Sequence, residues 1–269
     1  MHIAPQAQAL HREAGMAPHP IAIDAHTHIN HSSRFDTRVS EIYTADLEDL
    51  MRINDAAGVG KMLCSTFSSV LSAEDVEAEN EYMFELAQKH GRLYQWVVID
   101  PRNERTFEQA DRMLGHGKCV GIKLHPGNHG YTLAEYGDRL FSFSSKHGAA
   151  VLIHPENPPY TARPFANRYP DTTFIIAHLG SVEHVNAIAD SRYGNVYTDT
   201  SGIASSRNNV VEYAVGRVGS ERILFGTDTY AAGFQRGRIE YARISDADKQ
   251  NILAGNALRL FGDLIGPNG

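Results

Sequence analysis

Six side chains that can bind a metal ion end or follow apolar, strand-like runs in this sequence. They are His26, His28, His125, His154, His178 and Asp228. His26 and His28 lie two residues apart, so on an extended backbone their side chains point to the same face. Imidazole nitrogens and a carboxylate suit a divalent ion such as zinc. If the runs are parallel strands, these side chains meet at one end of the sheet, and the pattern predicts one metal-dependent active site.

Eight strand-like runs alternate with segments of helical spacing along the chain. The runs lie near residues 21–26, 61–66, 93–99, 119–124, 149–153, 172–177, 194–199 and 222–227. Alternating units of this kind predict a parallel sheet, and eight of them predict a closed (β/α)8 barrel, the TIM barrel fold. No glycine-rich nucleotide-binding motif follows any run, which argues against an open doubly wound sheet. A last amphipathic helix, Asp246 to Phe261, is expected to flank the barrel.

Composition limits the domain organisation and the partners. The 269 residues, 42% of them hydrophobic, are enough for one barrel domain over 21–266. Residues 1–20 contain no long apolar stretch and are expected to form a flexible extension, not a signal or a membrane span. The net charge of -7 disfavours nucleic acid and anionic membranes and favours a small-molecule partner. The two cysteines, Cys64 and Cys119, lie in apolar runs, so we expect buried thiols and a reducing cytoplasm.

Lys123 and His125 alternate onto one face of the fourth predicted strand, so both can point into the mouth of the barrel. Lys123 has three interpretations: it binds an anionic group of the substrate, it is carboxylated into a bridging ligand of a two-metal site, or it belongs to a structural ion pair. His125 either contacts the substrate or is structural. Glu156 and Arg163 lie in the proline-rich loop after the fifth run, where such barrels bind their substrates, and are predicted substrate contacts.

Six motifs together resemble the amidohydrolase superfamily, in particular its amidohydrolase-related branch. The motifs are Asp24–His28, Gly121–Pro126, Ile153–Pro155, Ala177–Gly180, Phe225–Asp228 and Ile252–Phe261. The resemblance implies a distorted (β/α)8 barrel with one or two divalent ions, usually zinc. It also implies that His26, His28, His154 and Asp228 bind a single metal, and that His178 acts beside it as acid, base or oxyanion stabiliser. One departure is the loop after Asp228, which lacks the proline common in this branch.

These ligands imply a hydrolase. A metal held in this way lowers the pKa of bound water to about 7, and the resulting hydroxide attacks a carbonyl group. Asp228 would take the proton from this water and pass it to the leaving group, while His178 supports the oxyanion. We expect an amide, lactone or ester of a small carboxylate-bearing molecule as substrate, with Lys123 or Arg163 holding its carboxylate.

Two alternatives remain open from the sequence. The branch also contains non-oxidative decarboxylases, in which the metal gathers substrate oxygens and a histidine protonates carbon as carbon dioxide leaves. A catalytically silent barrel that only binds a ligand is a third hypothesis. The loops that follow the predicted strands are short, so a neighbouring subunit could complete the pocket, and we expect a homo-oligomer.

Overall fold

The predicted barrel is present in the computed structural model, which describes residues 21–31, 46–229 and 231–266. One sheet of eight parallel strands runs in chain order from the first strand to the last. The strands are β1 (Ala22–Ile29), β2 (Val59–Thr66), β3 (Leu93–Val98), β4 (Cys119–Leu124), β5 (Ala150–Ile153), β6 (Phe174–Ile176), β7 (Val196–Asp199) and β8 (Ile223–Leu224). Each predicted run therefore overlaps a strand, although β1 ends three residues later and β2 begins two residues earlier than predicted. The predicted extension, residues 1–20, lies outside the described residues.

Helices follow the strands and pack around the sheet. The α-helices are α1 (Leu47–Ala56), α2 (Phe67–Leu71), α3 (Val76–Lys89), α4 (Glu104–Leu114), α5 (Pro126–His129), α6 (Leu133–His147), α7 (Arg163–Arg168), α8 (Val182–Ala189), α9 (Val210–Val218), α10 (Ala232–Glu240), α11 (Asp246–Gln250) and α12 (Asn256–Ile265). Short polar side chains cap several of their first turns: Asn103 accepts from a backbone N–H of α4, and Thr132 does so in α6. These caps fix where a loop ends and a helix begins.

Backbone hydrogen bonds join the last strand to the first and close the ring. The carbonyl of Phe225 accepts from the N–H of Ala25 at 2.8 Å. The carbonyl of His26 accepts from the N–H groups of Thr227, at 3.1 Å, and Asp228, at 2.8 Å. The first strand and the segment that follows the last strand are thus direct neighbours in the barrel wall.

The predicted C-terminal helix, Asp246 to Phe261, is present but longer and irregular. A π-helical segment, Asn251–Gly255, lies between α11 and α12. A π turn has a wider hydrogen-bond pattern than an α turn. Here the carbonyl of Ile252 accepts from the backbone N–H of Phe225 at 2.9 Å. The irregular turn therefore ties the last helix to the end of β8.

Trp96 on β3 is almost fully buried and connects this strand to β1 and to the last helix. Its indole N–H donates to the carbonyl of Ala25 at 2.9 Å, and its ring packs edge-on against Phe261 of α12. Gly121 on β4 leaves the space that this ring needs. A Cβ atom at Gly121 would lie 2.7 Å from Cζ3 of Trp96 and 2.3 Å from the carbonyl oxygen of Ala150.

We expect Gly121→Ala to lower the free energy of unfolding by about 3 kcal/mol, because neither the backbone of Ala150 nor the enclosed indole can move away cheaply. Urea denaturation followed by tryptophan fluorescence measures the change. Gly117→Ala is the control, since no heavy atom would lie within 4 Å of its added Cβ. Equal stabilities of the two variants would contradict this account of the packing.

His184 in α8 makes the fold sensitive to acid. Its side chain is buried, and its Nε2 lies 3.1 Å from the carbonyl of Ile176 and 2.9 Å from Oγ1 of Thr198. Burial lowers the pKa of His184 to about 4, against 6.5 for an unperturbed histidine. Between pH 6.5 and about pH 4, His184 binds a proton in the unfolded chain but not in the folded chain. The free energy of unfolding therefore falls as the pH falls through this range.

Between pH 7 and pH 5, His184 alone is expected to remove about 2 kcal/mol of unfolding free energy. His184→Gln keeps an N–H donor near the carbonyl of Ile176 but does not titrate, so its stability should change less over this range. Denaturation curves at both pH values measure the difference. His116→Gln, at an exposed position, is the control. A variant as acid-sensitive as the parent would disprove the assignment to His184.

No helix among the residues with described positions is long and apolar enough to cross a membrane. Both cysteines are buried and free, as the apolar runs around them predict.

Candidate metal centre

The ends of β1 and β8 bring three potential metal ligands together. Nε2 of His28 lies 3.2 Å from Oδ1 of Asp228, and Nε2 of His26 lies 3.7 Å from the same oxygen. All three ligand atoms lie within 4.8 Å of one another. The two imidazoles are almost fully buried, whereas the Asp228 side chain is 21% exposed. The group therefore opens toward solvent through the carboxylate.

The second nitrogen of each imidazole has a protein partner that orients the ring. Nδ1 of His26 lies 2.9 Å from Oδ2 of Asp199 and 3.0 Å from Oγ of Ser201. Nδ1 of His28 lies 2.9 Å from Oγ of Ser65. Such partners commonly fix the tautomer and direction of metal-binding histidines. Nε2 of His28 is left to face Asp228, and Nε2 of His26 lies between Asp228 and Nζ of Lys123. Two imidazoles and a carboxylate are a donor set that fits a divalent ion.

A second group of possible ligands consists of His26, His178 and Asp199, whose ligand atoms also lie within 4.8 Å of one another. The Asp199 carboxylate is fully buried, however, and both its oxygens are engaged. Oδ1 accepts from the backbone N–H and the hydroxyl of Ser201, and Oδ2 contacts His26. The group that includes Asp228 is therefore the better candidate for a metal.

His154 and His178 form a pair next to this group. Nε2 of His178 lies 3.1 Å from Nδ1 of His154, and Nδ1 of His178 lies 2.9 Å from Oγ of Ser201. His178 has a left-handed backbone, with φ of 65°, and its N–H donates to Oδ1 of Asp199. The His154 ring stacks on His125 with centroids 3.9 Å apart. His154 lies outside the closest group of ligand atoms, and its role as a ligand stays a prediction.

Lys123 points into the site from β4. Its Nζ lies 2.9 Å from Nε2 of His26, and the residue is 1% exposed. Burial lowers the pKa of Lys123 to about 8, although the charges of Asp228 and Asp199 oppose this. An amine with this pKa carries a proton in most molecules at pH 7 and can also become neutral. Among the described residues Lys123 contacts an imidazole and forms no ion pair with a carboxylate, which offers little support for the structural ion pair.

The other three predicted substrate contacts have partners within the protein. His125 caps α5, because its Nδ1 accepts from the N–H of Asn128 at 3.3 Å. Glu156 accepts from the N–H of Leu133 at 3.1 Å, at the start of α6. Arg163 pairs with Asp190 at 3.1 Å, at the end of α8. Of the three, only His125 contacts the imidazole cluster, through His154, and all three substrate roles stay predictions.

Burial lowers the pKa values of His26, His28 and His154, which favours neutral imidazoles, and the Asp228 carboxyl group is ionised. Burial, with the charge of Lys123, lowers the pKa of His26 to about 3, and the same causes lower that of His154 to about 3. Burial would raise the pKa of Asp228, but the hydrogen bond from His28 and the nearby imidazoles outweigh it and lower this pKa. Neutral imidazoles and an ionised carboxylate are the protonation states that bind metal.

Sequence reasoning missed Asp199 and Ser201. Asp199 is the last residue of β7, and Ser201 follows two residues later. The predicted run also ended at residue 199, so the signal was present in the sequence. It was the same signal that indicated the histidines, namely a polar side chain at the carboxyl end of a strand. Their side chains contact His26 and His178 and do not themselves complete the group around Asp228. They act as orienting partners, which strand position alone does not separate from ligands.

Comparisons with known proteins agree with this architecture. A family model described as amidohydrolase matches residues 23–262. No curated protein matches the chain. Among solved structures, a Burkholderia multivorans amidohydrolase with bound zinc is 16% identical, with a TM-score of 0.72, over 90% of this chain and 99% of the other.

Two further solved structures share the fold. A Polaromonas dihydroxybenzoic acid decarboxylase with bound manganese and the inhibitor 2-nitroresorcinol is 18% identical, with a TM-score of 0.67, over 89% of this chain and 96% of the other. A probable 2-pyrone-4,6-dicarboxylic acid hydrolase from Acinetobacter baumannii, with bound citric acid, is 17% identical, with a TM-score of 0.68, over 90% of this chain and 100% of the other. At these identities the likeness shows the fold alone.

Proposed function

Since the chain belongs to the amidohydrolase family, we propose that it is a metal-dependent hydrolase of a small carboxylate-bearing molecule with an amide, lactone or ester bond. One observation carries the proposal. The ligand atoms of His26, His28 and Asp228 lie within 4.8 Å of one another, and the opposite nitrogen of each imidazole is bonded to another side chain. Such orientation is typical of metal ligands and supports a bound divalent ion, for which zinc is our first candidate.

A divalent ion held by His26, His28 and Asp228 would supply Lewis acidity and would make water a better nucleophile at neutral pH. Asp228 is ionised and the most exposed of the three, so it is placed to accept a proton from the attacking water and return it to the leaving group. His178, held by Ser201 on one side and by His154 on the other, supports the developing oxyanion.

Lys123 is our candidate for binding the substrate carboxylate. Its buried Nζ lies next to His26 at the site, and burial strengthens the attraction between a cation and an anion. Arg163 is a weaker candidate than the sequence indicated, because its guanidinium pairs with Asp190. Carboxylation of Lys123, which would bring a second metal, remains an alternative that metal content can test.

Non-oxidative decarboxylation is the second candidate. The hydrogen-bonded pair of His154 and His178 beside the metal ligands favours it, because such a pair can deliver a proton to carbon. The Polaromonas relative described as a dihydroxybenzoic acid decarboxylase supports this alternative through its fold. The two reactions share the metal ligands and differ in the bond that breaks.

A substrate panel separates the two reactions. Metal-loaded protein is incubated with lactones, esters and amides that carry a carboxylate, and with hydroxybenzoic acids, while acid release and carbon dioxide release are both measured. We expect hydrolysis of at least one member of the first set, abolished by a chelator and restored by added metal. Carbon dioxide release without hydrolysis would favour the decarboxylase. Chelator-resistant hydrolysis would contradict the role of the metal in either reaction.

A further inference from the structure

The backbone that follows β8 has an unusual conformation at the proposed metal ligand. Asp228 has φ of 55° and Thr229 has φ of 73°, both in the left-handed region. This region is uncommon for residues other than glycine and is a clear outlier for a β-branched side chain such as threonine. Strained backbone of this kind persists only when surrounding contacts hold it in place.

The Thr229 hydroxyl supplies such contacts. Its Oγ1 donates to the carbonyl of His28 at 2.7 Å and accepts from the N–H of His28 at 2.7 Å. The residue is 4% exposed. The Thr229 side chain therefore holds its own backbone, directly after Asp228, against the backbone of His28 in β1.

The buried carboxyl group of Asp24 holds the other flank of Asp228. Asp24 accepts from Oγ1 of Thr227 at 2.6 Å and from the N–H of Thr227 at 3.1 Å. The same carboxyl group accepts from the N–H of His26 at 3.2 Å. Thr227 and Thr229 thus attach the two sides of Asp228 to the two histidine positions of β1.

We propose that Thr229 and Asp24 are positioning residues that hold the Asp228 carboxylate against His26 and His28 and so create the metal site. This inference rests on the proposed function, because it concerns the same metal. The left-handed backbone directs the Asp228 side chain, and the hydroxyl bonds to His28 maintain that backbone. A valine at position 229 has nearly the same shape but cannot make either bond, so the carboxylate loses its fixed direction relative to the imidazoles.

Cobalt binding to the otherwise intact protein tests the proposal without an activity assay. Metal-free parent, Thr229→Val, Thr229→Ser and Thr106→Val are titrated with Co²⁺ in competition with a chromophoric chelator, and the visible spectrum of the bound ion is recorded. Thr106 is a matched control: it is fully buried, and its hydroxyl bonds the carbonyls of Asp100 and Asn103. Thermal unfolding of each metal-free protein separates loss of fold from loss of binding.

We expect Thr229→Val to bind cobalt about 10- to 100-fold more weakly, as for other residues that support metal ligands, and to alter the spectrum. Thr229→Ser, which keeps the hydroxyl, should stay within about threefold of the parent, as should Thr106→Val. If Thr229→Val does not fold, Asp24→Ala, which removes every hydrogen bond of the Asp24 side chain, replaces it with the same expectation.

Affinity and spectrum equal to those of the parent in the folded valine variant, or in Asp24→Ala, would overturn the positioning role while leaving the proposed function intact. A parent protein that binds no cobalt would instead contradict the proposed function, and this inference with it.

Discussion

Replacing Asp228 with asparagine is expected to lower turnover at least about 10³-fold, because the change removes a proposed metal ligand that is also the group proposed to move the proton. Asparagine has almost the same volume but no charge, and it cannot accept a proton from water. Initial rates with the substrate identified by the panel, at saturating metal, measure the effect. Circular dichroism of the variant checks that the barrel remains folded.

Asp138→Asn is the matched control for this prediction. Asp138 is exposed on α6 and pairs with Arg168 at the surface, where such pairs contribute little to stability. Its turnover should equal that of the parent within about twofold. If Asp228→Asn retains a tenth or more of the parental rate while binding metal, Asp228 is not the proton acceptor, and the proposed mechanism fails.

His26→Ala is expected to abolish tight metal binding. The imidazole of His26 contacts Asp228, Asp199 and Lys123. Its removal deletes one proposed ligand and leaves the buried Asp199 and Lys123 side chains without their hydrogen bonds to this ring. We expect about one equivalent of metal per parent chain and less than about 0.1 in the variant. Elemental analysis of protein purified without added metal measures both values.

The control for metal content is His116→Ala. His116 is exposed, and its ring packs against Phe84 outside the site, so this variant should keep its metal. Two equivalents in the parent would favour the interpretation of Lys123 as a carboxylated bridging ligand. A parent without metal, and without uptake when zinc or manganese is offered, would refute the metal-dependent reaction.

The fold was predictable from the sequence because each strand carries its own signal. Apolar runs such as Val151–Ile153 and Phe174–Ile176 are short and separated by helical spacing, and only a parallel barrel buries eight of them in chain order. The last helix was less predictable. Its π-helical turn arises where the carbonyl of Ile252 meets Phe225, a tertiary contact that no local pattern encodes.

The candidate site was predictable as a location but not as a geometry. Strand ends placed His26, His28 and Asp228 at the same mouth, and the structure brings them within 4.8 Å, although their role as ligands stays a prediction. The direction of each side chain depends on partners that are distant in sequence. Asp199 orients the His26 ring through a hydrogen bond, and Asp190 at the end of α8 forms an ion pair with Arg163. Residue types and spacing alone do not contain this information.

The hydrogen bonds that close the ring between β1 and the end of β8 determine which folding step comes last. His26 and His28 lie in β1 and leave the ribosome before Asp228, which follows β8, and before the contact of Phe225 with Ile252 can form. Contacts so far apart in sequence form late, after most of the chain has become available. Metal capture should therefore mark the end of folding, so a bound ion would report that the barrel wall is complete.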